Sequence, residues 1–228
     1  MAAFILTPSC FKKKIKGRIV YESYNELAYL TKKRFTPDPT IYALLELEKF
    51  EKYMVIRFVS RTAVHDLGNS GLTPEMQIQI VKKLSQHTQV FISSEQTLSE
   101  PLKPFQIPCP PEKIHHALYY ADLFYGESPT MASEAACLGT PAIYIDHKGR
   151  GYTDEQERKY GLVFNFKATP RDRKRSILKA VEILNQKESR EKRHLRRDRM
   201  LNDKIDLTEF LVRFVLGVNS SAPARGSR

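Results

Sequence analysis

The sequence predicts an α/β fold, a Rossmann-like parallel sheet with helices on both faces. Short apolar runs such as YMVIRFV and PAIYI lack the alternation of a half-buried strand, which is typical of strands covered on both sides. Segments with helical spacing of apolar residues separate these runs, and such alternation of strand and helix favours a parallel sheet. Ser/Thr-Pro pairs and glycines mark where several helices begin and end.

The regular part of the chain runs from residue 51 to residue 186. Its predicted strands are, in order, YMVIRFV, TQVFIS, FQIP, DLFYG, PAIYI and LVFNF. Its predicted helices are GLTPEMQIQIVKKLSQ, PEKIHHALYYA, SPTMASEAACLG, TDEQERKYG and TPRDRKRSILKAVEILNQ. In the first of these helices, Thr73 is the expected N-cap and Pro74 takes the first helical position. We expect residues 51–186 to form one Rossmann-like domain.

Segments of a different character flank this domain. Residues 1–50 hold few periodic elements, with a strand predicted at IVYES and a helix at TIYALLELEKF, and we expect an interdomain-type segment. Residues 187–218 are predicted as basic and apolar C-terminal helices, KESREKRHLRRDR and IDLTEFLVRFVLG. Residues 219–228 have the composition of a disordered tail.

The formal net charge of +11 favours anionic partners. The basic run after residue 186 is typical of a solvated helix face, and peripheral contact with a membrane is its alternative. No Phe, Tyr or Trp interleaves the run, so nucleic acid is not an expected partner. There is no apolar run long enough to span a membrane, and three widely spaced cysteines form no disulfide framework or zinc pattern. A cytoplasmic protein, peripheral at the membrane in the alternative, is the expectation.

The stretch GESPTMASEAACLGTPAIYID, residues 126–146, carries an informative polar pattern. Ser128 is placed to cap a helix that has Pro129 at its first position and ends at Gly139. The free N–H groups of this helix follow the carboxyl end of a strand, where open α/β sheets bind ligands and a helix N-terminus binds anions. Hydroxyls could hold phosphate oxygens there, and Glu134 could accept hydrogen bonds from a ribose diol. Ordinary helix capping is the alternative.

Polar residues also follow the first strand of the domain, in RFVSRTAVHDLGNSG. Arg61 and His65 lie in this stretch, and His65 is the candidate catalytic base because imidazole titrates near neutral pH. A solvated loop is the alternative. His115 and His116 are adjacent on a helix and face different ways, so no metal site is predicted. GxGxxG, P-loop and GxSxG motifs do not occur, and we expect no cofactor.

The segment ADLFYGESPTMASEAACLGTPAIYI resembles the nucleotide-sugar-binding segment of GT-B-fold enzymes. Six other segments resemble, in the same order, a prokaryotic family, domain-of-unknown-function family 354: LTPSCF, YESYNELAYL, FTPDPTI, YMVIRFVSRTAVHD, KIHHALYYAD and DEQERKYGLVFNF. That family is similar to non-hydrolysing UDP-N-acetylglucosamine 2-epimerases and to glycosyltransferases. The resemblance implies that Ser128, Thr130, Met131 and Ser133 bind phosphate and that Glu134 binds ribose. The epimerases have a His/Arg loop after the comparable strand, which implies phosphate contact by Arg61 or His65.

GT-B enzymes have two Rossmann-like domains with the substrate between them, and the chain resembles only the C-terminal one. The resemblance therefore implies the nucleotide-sugar-binding half of a glycosyltransferase or sugar epimerase of polysaccharide biosynthesis. Its partners would be a nucleotide-diphosphate sugar and an N-terminal Rossmann domain in another chain. The alternative is a non-catalytic nucleotide- or anion-binding module, or a truncated fragment.

Overall fold

The computed structural model describes residues 4–11, 16–59, 72–94, 96–146, 149–186 and 190–217. Its strands are β1 (Ile5–Pro8), β2 (Arg18–Tyr21), β3 (Tyr53–Phe58), β4 (Gln89–Ser94), β5 (Leu123–Gly126), β6 (Ala142–Ile145) and β7 (Val163–Phe166). The last five form one parallel sheet in the order β4-β3-β5-β6-β7. The chain adds β4 on one side of β3 and then crosses over to place β5 on the other side. The carboxyl ends of β3 and β5 therefore flank the topological switch point, the usual ligand position in open α/β sheets.

The α-helices are α1 (Ile41–Leu44), α2 (Pro74–Leu84), α3 (Ile114–Tyr120), α4 (Pro129–Leu138), α5 (Gly151–Glu155), α6 (Pro170–Asn185), α7 (Arg190–Asn202) and α8 (Leu207–Val215). The predicted N-caps are confirmed, because the side chains of Thr73, Ser128 and Thr169 each accept a hydrogen bond from a first-turn backbone N–H. Gly139 ends α4 in the left-handed conformation, at φ 89°, which favours glycine.

The sheet is covered on both faces, which confirms the predicted layer order. Tyr53 and Val55 of β3 belong to a core that includes α3 and α4, whereas Met54 and Ile56 belong to a second core with α2 and α6. Alternate residues of a strand point to opposite faces. The continuous apolar runs of the sequence therefore reflect burial of both sets.

Three predicted elements differ from the structure. FQIP is not a strand: only Gln106 forms a single bridge, to Ile92, after a 3₁₀ helix over Glu100–Phe105. Pro104 directly precedes FQIP and Pro108 is its last residue, and neither has the N–H that a ladder needs. The helix expected at TIYALLELEKF is limited to α1, after which Glu46 and Phe50 take left-handed backbone angles. TDEQERKYG forms α5 followed by a π-helical turn over Gln156–Tyr160.

The N-terminal segment contributes side chains to the core of the domain. β1 and β2 form a separate parallel pair, and a 3₁₀ helix over Asn25–Ala28 follows. Tyr24, Leu27 and Leu30 of this segment are buried in the same core as α4. This segment therefore brings its side chains next to the start of α4. The division of the chain at residue 50 stays a prediction.

The basic run after residue 186 is held to the domain by one face of α7. Arg193, Arg197 and Met200 are buried, at helical spacing, and Arg193 donates to the backbone oxygen of Asp122 (2.9 Å). The opposite face of α7 is exposed to solvent, as predicted. Among the described residues, no helix is long and apolar enough to cross a membrane. Residues 219–228, predicted as disordered, lie outside the described residues.

Candidate functional site

The N-terminus of α4 lies at the switch point, directly after β5. Ser128 caps it, because its Oγ accepts from the Met131 N–H (3.3 Å), and Pro129 takes the first helical position. Thr130, at the next position, is exposed. The first turns of α2 and α6 carry Glu75 and Asp172, whereas that of α4 carries no acid. The positive end of the α4 dipole is therefore not neutralised by its own first turn.

Gly126 brings the two strands of the switch point together. A Cβ at this position would lie 2.3 Å from the backbone oxygen of Arg57 in β3, a distance that no side chain tolerates. The Glu127 N–H donates to the same oxygen (3.1 Å). Glycine at the end of β5 thus lets the start of α4 lie against the end of β3.

Arg61 and His65 lie outside the described residues, in the segment 60–71. The residues on both sides of this segment are described. β3 ends at the switch point, and Leu72, the first described residue after the segment, donates its N–H to Oε1 of Glu127 (2.9 Å), next to the α4 cap. The two flanks of the predicted phosphate loop therefore lie beside the start of α4.

Two of the predicted phosphate ligands are buried. The Met131 side chain packs in the core, and its N–H is bonded to Ser128. Ser133 is fully buried, and its Oγ accepts from Nε2 of Gln156 (2.9 Å). The geometry favours an indirect role for Ser133, and its direct contact with a ligand stays a prediction.

Glu134 lies one turn further along α4 and is nearly buried. Its Oε1 accepts from the Tyr29 hydroxyl (2.8 Å), and Nε2 of His115 lies 3.0 Å from the same oxygen. Oε2 forms no hydrogen bond with any residue of the described ranges. Tyr29 and His115 were not predicted at this site, since they come from the N-terminal segment and from α3.

A cavity of about 130 Å³ opens between the N-terminal segment and the start of α4. Its walls include Phe11, Glu26, Tyr29, Thr130 and Tyr152. Glu26 is only 5% exposed. Burial raises the pKa of Glu26 to about 7, hydrogen bonds from its own backbone and from Ser133 lower it, and nearby Glu134 raises it. A carboxyl group that titrates near neutral pH therefore lies beside the helix N-terminus.

The tyrosines around this cavity remain protonated hydroxyl donors. Burial, followed by the proximity and hydrogen bond of Glu134, raises the pKa of Tyr29 far above its usual range. Burial raises the pKa of Tyr152 to about 12, and a hydrogen bond with Thr130 lowers it in part. Within the described ranges, no group of three His, Cys, Asp or Glu side chains could hold a metal ion.

Comparisons with known proteins bear on the fold. No family model and no curated protein matches the chain. A protein of Listeria monocytogenes assigned as a UDP-N-acetylglucosamine 2-epimerase matches it with a TM-score of 0.55 at 15% identity, over 88% of this chain and 53% of that one. Os79 from O. sativa, solved with U2F and a trichothecene, gives 0.54 at 13% identity, over 83% and 47%. Spinosyn forosaminyltransferase SpnP gives 0.51 at 12% identity, over 94% and 54%.

The chain has a Rossmann-like fold of the GT-B type. It spans about half the length of the solved structures that it matches. At these sequence identities the likeness shows the fold alone. The resemblance to domain-of-unknown-function family 354, and the assignment to a C-terminal half, stay predictions.

Proposed function

We propose that this chain is the nucleotide-sugar-binding half of a GT-B-like glycosyltransferase or sugar epimerase, and that the ligand's diphosphate binds at the N-terminus of α4. The observation that carries the proposal is the position of this N-terminus at the switch point of the sheet, with its first turn free of acids. Helix N-termini bind phosphate through free N–H groups and the helix dipole. The GT-B type of the fold supports the choice of ligand.

Different residues along α4 bind different parts of the ligand in this proposal. The exposed Thr130 hydroxyl and the Thr130 N–H hold phosphate oxygens. Pro129 has no N–H, and the N–H groups of Met131 and Ala132 are bonded to Ser128, which fixes the turn. Glu134 binds the ribose with Oε2, because Tyr29 and His115 already occupy Oε1. The buried Ser133 orients Glu26 and Gln156 through hydrogen bonds.

The segment 60–71 supplies the remaining contacts in this proposal. Arg61 binds the diphosphate, since a guanidinium can form two parallel hydrogen bonds to phosphate oxygens. His65 acts as the general base. Support comes from the two flanks of the segment, which lie on either side of the switch point.

We further propose that an N-terminal Rossmann domain in another chain completes the active site. An apolar surface on β1, β2 and α8 supports this, because its side chains are 45–80% exposed: Phe4, Ile5, Val20, Val212 and Val215. Phe4 packs on Phe214 with ring centroids 5.5 Å apart, so the strand pair and α8 form one continuous surface. Apolar patches of this kind mark partner sites. Turnover of a nucleotide sugar by this chain alone would contradict this part of the proposal.

One observation favours a second candidate, a non-catalytic nucleotide- or anion-binding module. Oε1 of Glu134 is bonded within the protein, and such bonding would also suit a purely structural carboxylate. The experiment that tests the proposed function is calorimetry of the chain with UDP, ADP, CDP, GDP and dTDP and with their sugar conjugates. The proposal expects one nucleoside diphosphate to bind. If none binds while sulfate does, the anion module is favoured.

A further inference from the structure

We propose that the cavity lined by Glu26, Tyr29, Thr130 and Tyr152 is a subsite for the sugar ring of the ligand, in which Glu26 binds the sugar hydroxyls. This inference rests on the proposed function, because it places the sugar next to a diphosphate at the start of α4. Thr130 belongs to both places, since it lines the cavity and stands at the second position of the helix. A ligand that extends from phosphate into the cavity would therefore pass Thr130.

The position of Glu26 is the first support. It lies on the 3₁₀ helix Asn25–Ala28, is 95% buried, and still borders the cavity. None of its contacts among the described residues is an ion pair with Lys, Arg or His. A buried carboxyl group normally gains a cation or several donors to offset lost hydration. Its own backbone N–H and Ser133 supply two donors, and hydroxyl groups of a bound ligand would supply more.

The surroundings of Glu26 explain why a neutral, hydroxyl-rich ligand suits it better than a cation or an anion. The titratable groups that act on it come from β2, from α4 and α5, and from the segments between them: Cys10, Tyr21, Tyr29, Glu134, Cys137 and Tyr152. Burial raises the pKa of each thiol and phenol in this set. The set contains one carboxyl group besides Glu26 and no cation. Beyond the set, Lys204 acts on Cys10 and Cys137, and Arg150 acts on Tyr152, but neither forms an ion pair with Glu26.

The walls of the cavity supply the second support. Phe11 and Tyr152 lie with their ring centroids 6.2 Å apart, and Tyr24 and Tyr29 add two further aromatic side chains. A sugar ring presents C–H groups on its faces and hydroxyls at its edge. Aromatic walls with a carboxyl group and phenol hydroxyls match both features.

The position of the cavity brings the two parts of the ligand near each other. Tyr29 lines the cavity and also donates to Oε1 of Glu134. A sugar ring in the cavity and a ribose at Oε2 of Glu134 would therefore both lie close to Tyr29.

The test compares each nucleoside diphosphate with its sugar conjugate. Calorimetry would measure UDP, UDP-glucose, UDP-galactose and UDP-N-acetylglucosamine, or the conjugates of whichever nucleoside diphosphate binds, on wild type, Glu26→Gln, Tyr152→Phe and the exposed control Glu100→Gln. We expect UDP affinity to change less than about twofold in every variant. The extra affinity that a sugar adds should fall about tenfold in Glu26→Gln, the effect of one lost hydrogen bond to a charged group. In wild type this extra affinity should rise through neutral pH, because an ionised carboxylate forms stronger bonds with hydroxyls.

Each outcome is decisive for one of the two claims. If a nucleoside diphosphate binds and no sugar increases its affinity, or if the increase and its pH dependence survive in both Glu26→Gln and Tyr152→Phe, the sugar subsite is wrong and the proposed function stands. If no nucleotide binds at all, the proposed function fails first. Tyr152→Phe, which keeps the ring and removes the hydroxyl, answers the question if Glu26→Gln does not fold.

Discussion

The Tyr29 hydroxyl donates a 2.8 Å hydrogen bond to Oε1 of Glu134, and the two residues are 105 positions apart in the chain. This bond joins the N-terminal segment to α4, the helix that begins at the switch point. It also limits what Oε1 can do, because Tyr29 and His115 both bond to this oxygen. In the proposed complex only Oε2 is left to accept hydrogen bonds from the ribose.

Glu134→Gln should weaken nucleotide binding and leave the fold intact. The amide oxygen of Gln can take the bonds from Tyr29 and His115, whereas its NH₂ group replaces the acceptor Oε2. Loss of a hydrogen bond to a charged group costs about 1.5–3 kcal/mol, or roughly 10- to 150-fold in affinity. Calorimetry with the bound nucleotide checks this, with Glu182→Gln on α6 as the control. Wild-type affinity in Glu134→Gln would show that the ribose role is wrong, and unfolding of the variant would show a structural carboxylate.

Tyr29→Phe should lower the free energy of unfolding by about 1 kcal/mol, because Oε1 of Glu134 loses a partly buried donor. Chemical denaturation measures this. Tyr119→Phe is the matched control, because the hydroxyl of Tyr119 forms no hydrogen bond with residues of the described ranges. Equal effects of the two substitutions would mean that the bond between Tyr29 and Glu134 adds nothing to stability.

Glu26→Gln should change how stability depends on pH. The pKa of Glu26 is raised from 4.5 to about 7 in the folded chain, so the folded state binds more protons than the unfolded state between these values. Stability from this group is present at low pH and falls as pH rises through about 7. Glutamine stays neutral. The free energy of unfolding of the variant, relative to that of wild type, should therefore rise by on the order of 3 kcal/mol between pH 4.5 and about 7.

The measurement for Glu26 is the difference between the unfolding free energies of the two proteins at pH values from 4.5 to 8. The difference is needed because His116 and His194, whose pKa values burial lowers, act in the opposite direction in part of this range. They contribute equally to both proteins and cancel. A difference that stays constant with pH would contradict the raised pKa.

Arg61→Ala and His65→Ala should weaken nucleotide binding without a change in the midpoint of thermal unfolding. The effect of Arg61 should be the larger, about tenfold or more, because a guanidinium binds phosphate with two charge-assisted hydrogen bonds. Calorimetry on both variants checks this. Unchanged affinity in both would show that segment 60–71 has no part in the site.

The parts of the fold that the sequence predicted correctly are those with local causes. Ser128 and Pro129 mark the start of α4 whatever lies around them, and Gly139 marks its end through a backbone angle that favours glycine. The central strands were also predictable, because burial on both faces leaves an unbroken apolar run. FQIP looked similar, but adjacent prolines removed the ladder donors.

The partners of the site residues could not be predicted in the same way. Glu26 and Tyr29 have the spacing of an ordinary surface segment, and only the packing of that segment on α4 brings them to Ser133 and Glu134. His115 was treated as one of two adjacent helix histidines, and its contact with Glu134 depends on the crossing of α3 and α4. Contacts of this kind depend on tertiary structure and leave no periodic signal in the sequence.

The central claim is that a diphosphate binds at the N-terminus of α4, and Thr130→Glu tests it most directly. A glutamate at the second helical position favours the helix dipole and should leave stability equal or higher, by up to about 1 kcal/mol. Its charge would stand where the phosphate is proposed to bind, so nucleotide affinity should fall at least about tenfold.

The matched control is Arg171→Glu, at the same position of α6 after the Thr169-Pro170 cap, which removes more positive charge from the protein as a whole. Calorimetric titration of both folded variants with the same nucleotide sugar is the decisive measurement. The account predicts that Thr130→Glu loses binding while Arg171→Glu binds as wild type does. Equal affinity of Thr130→Glu and wild type would contradict it.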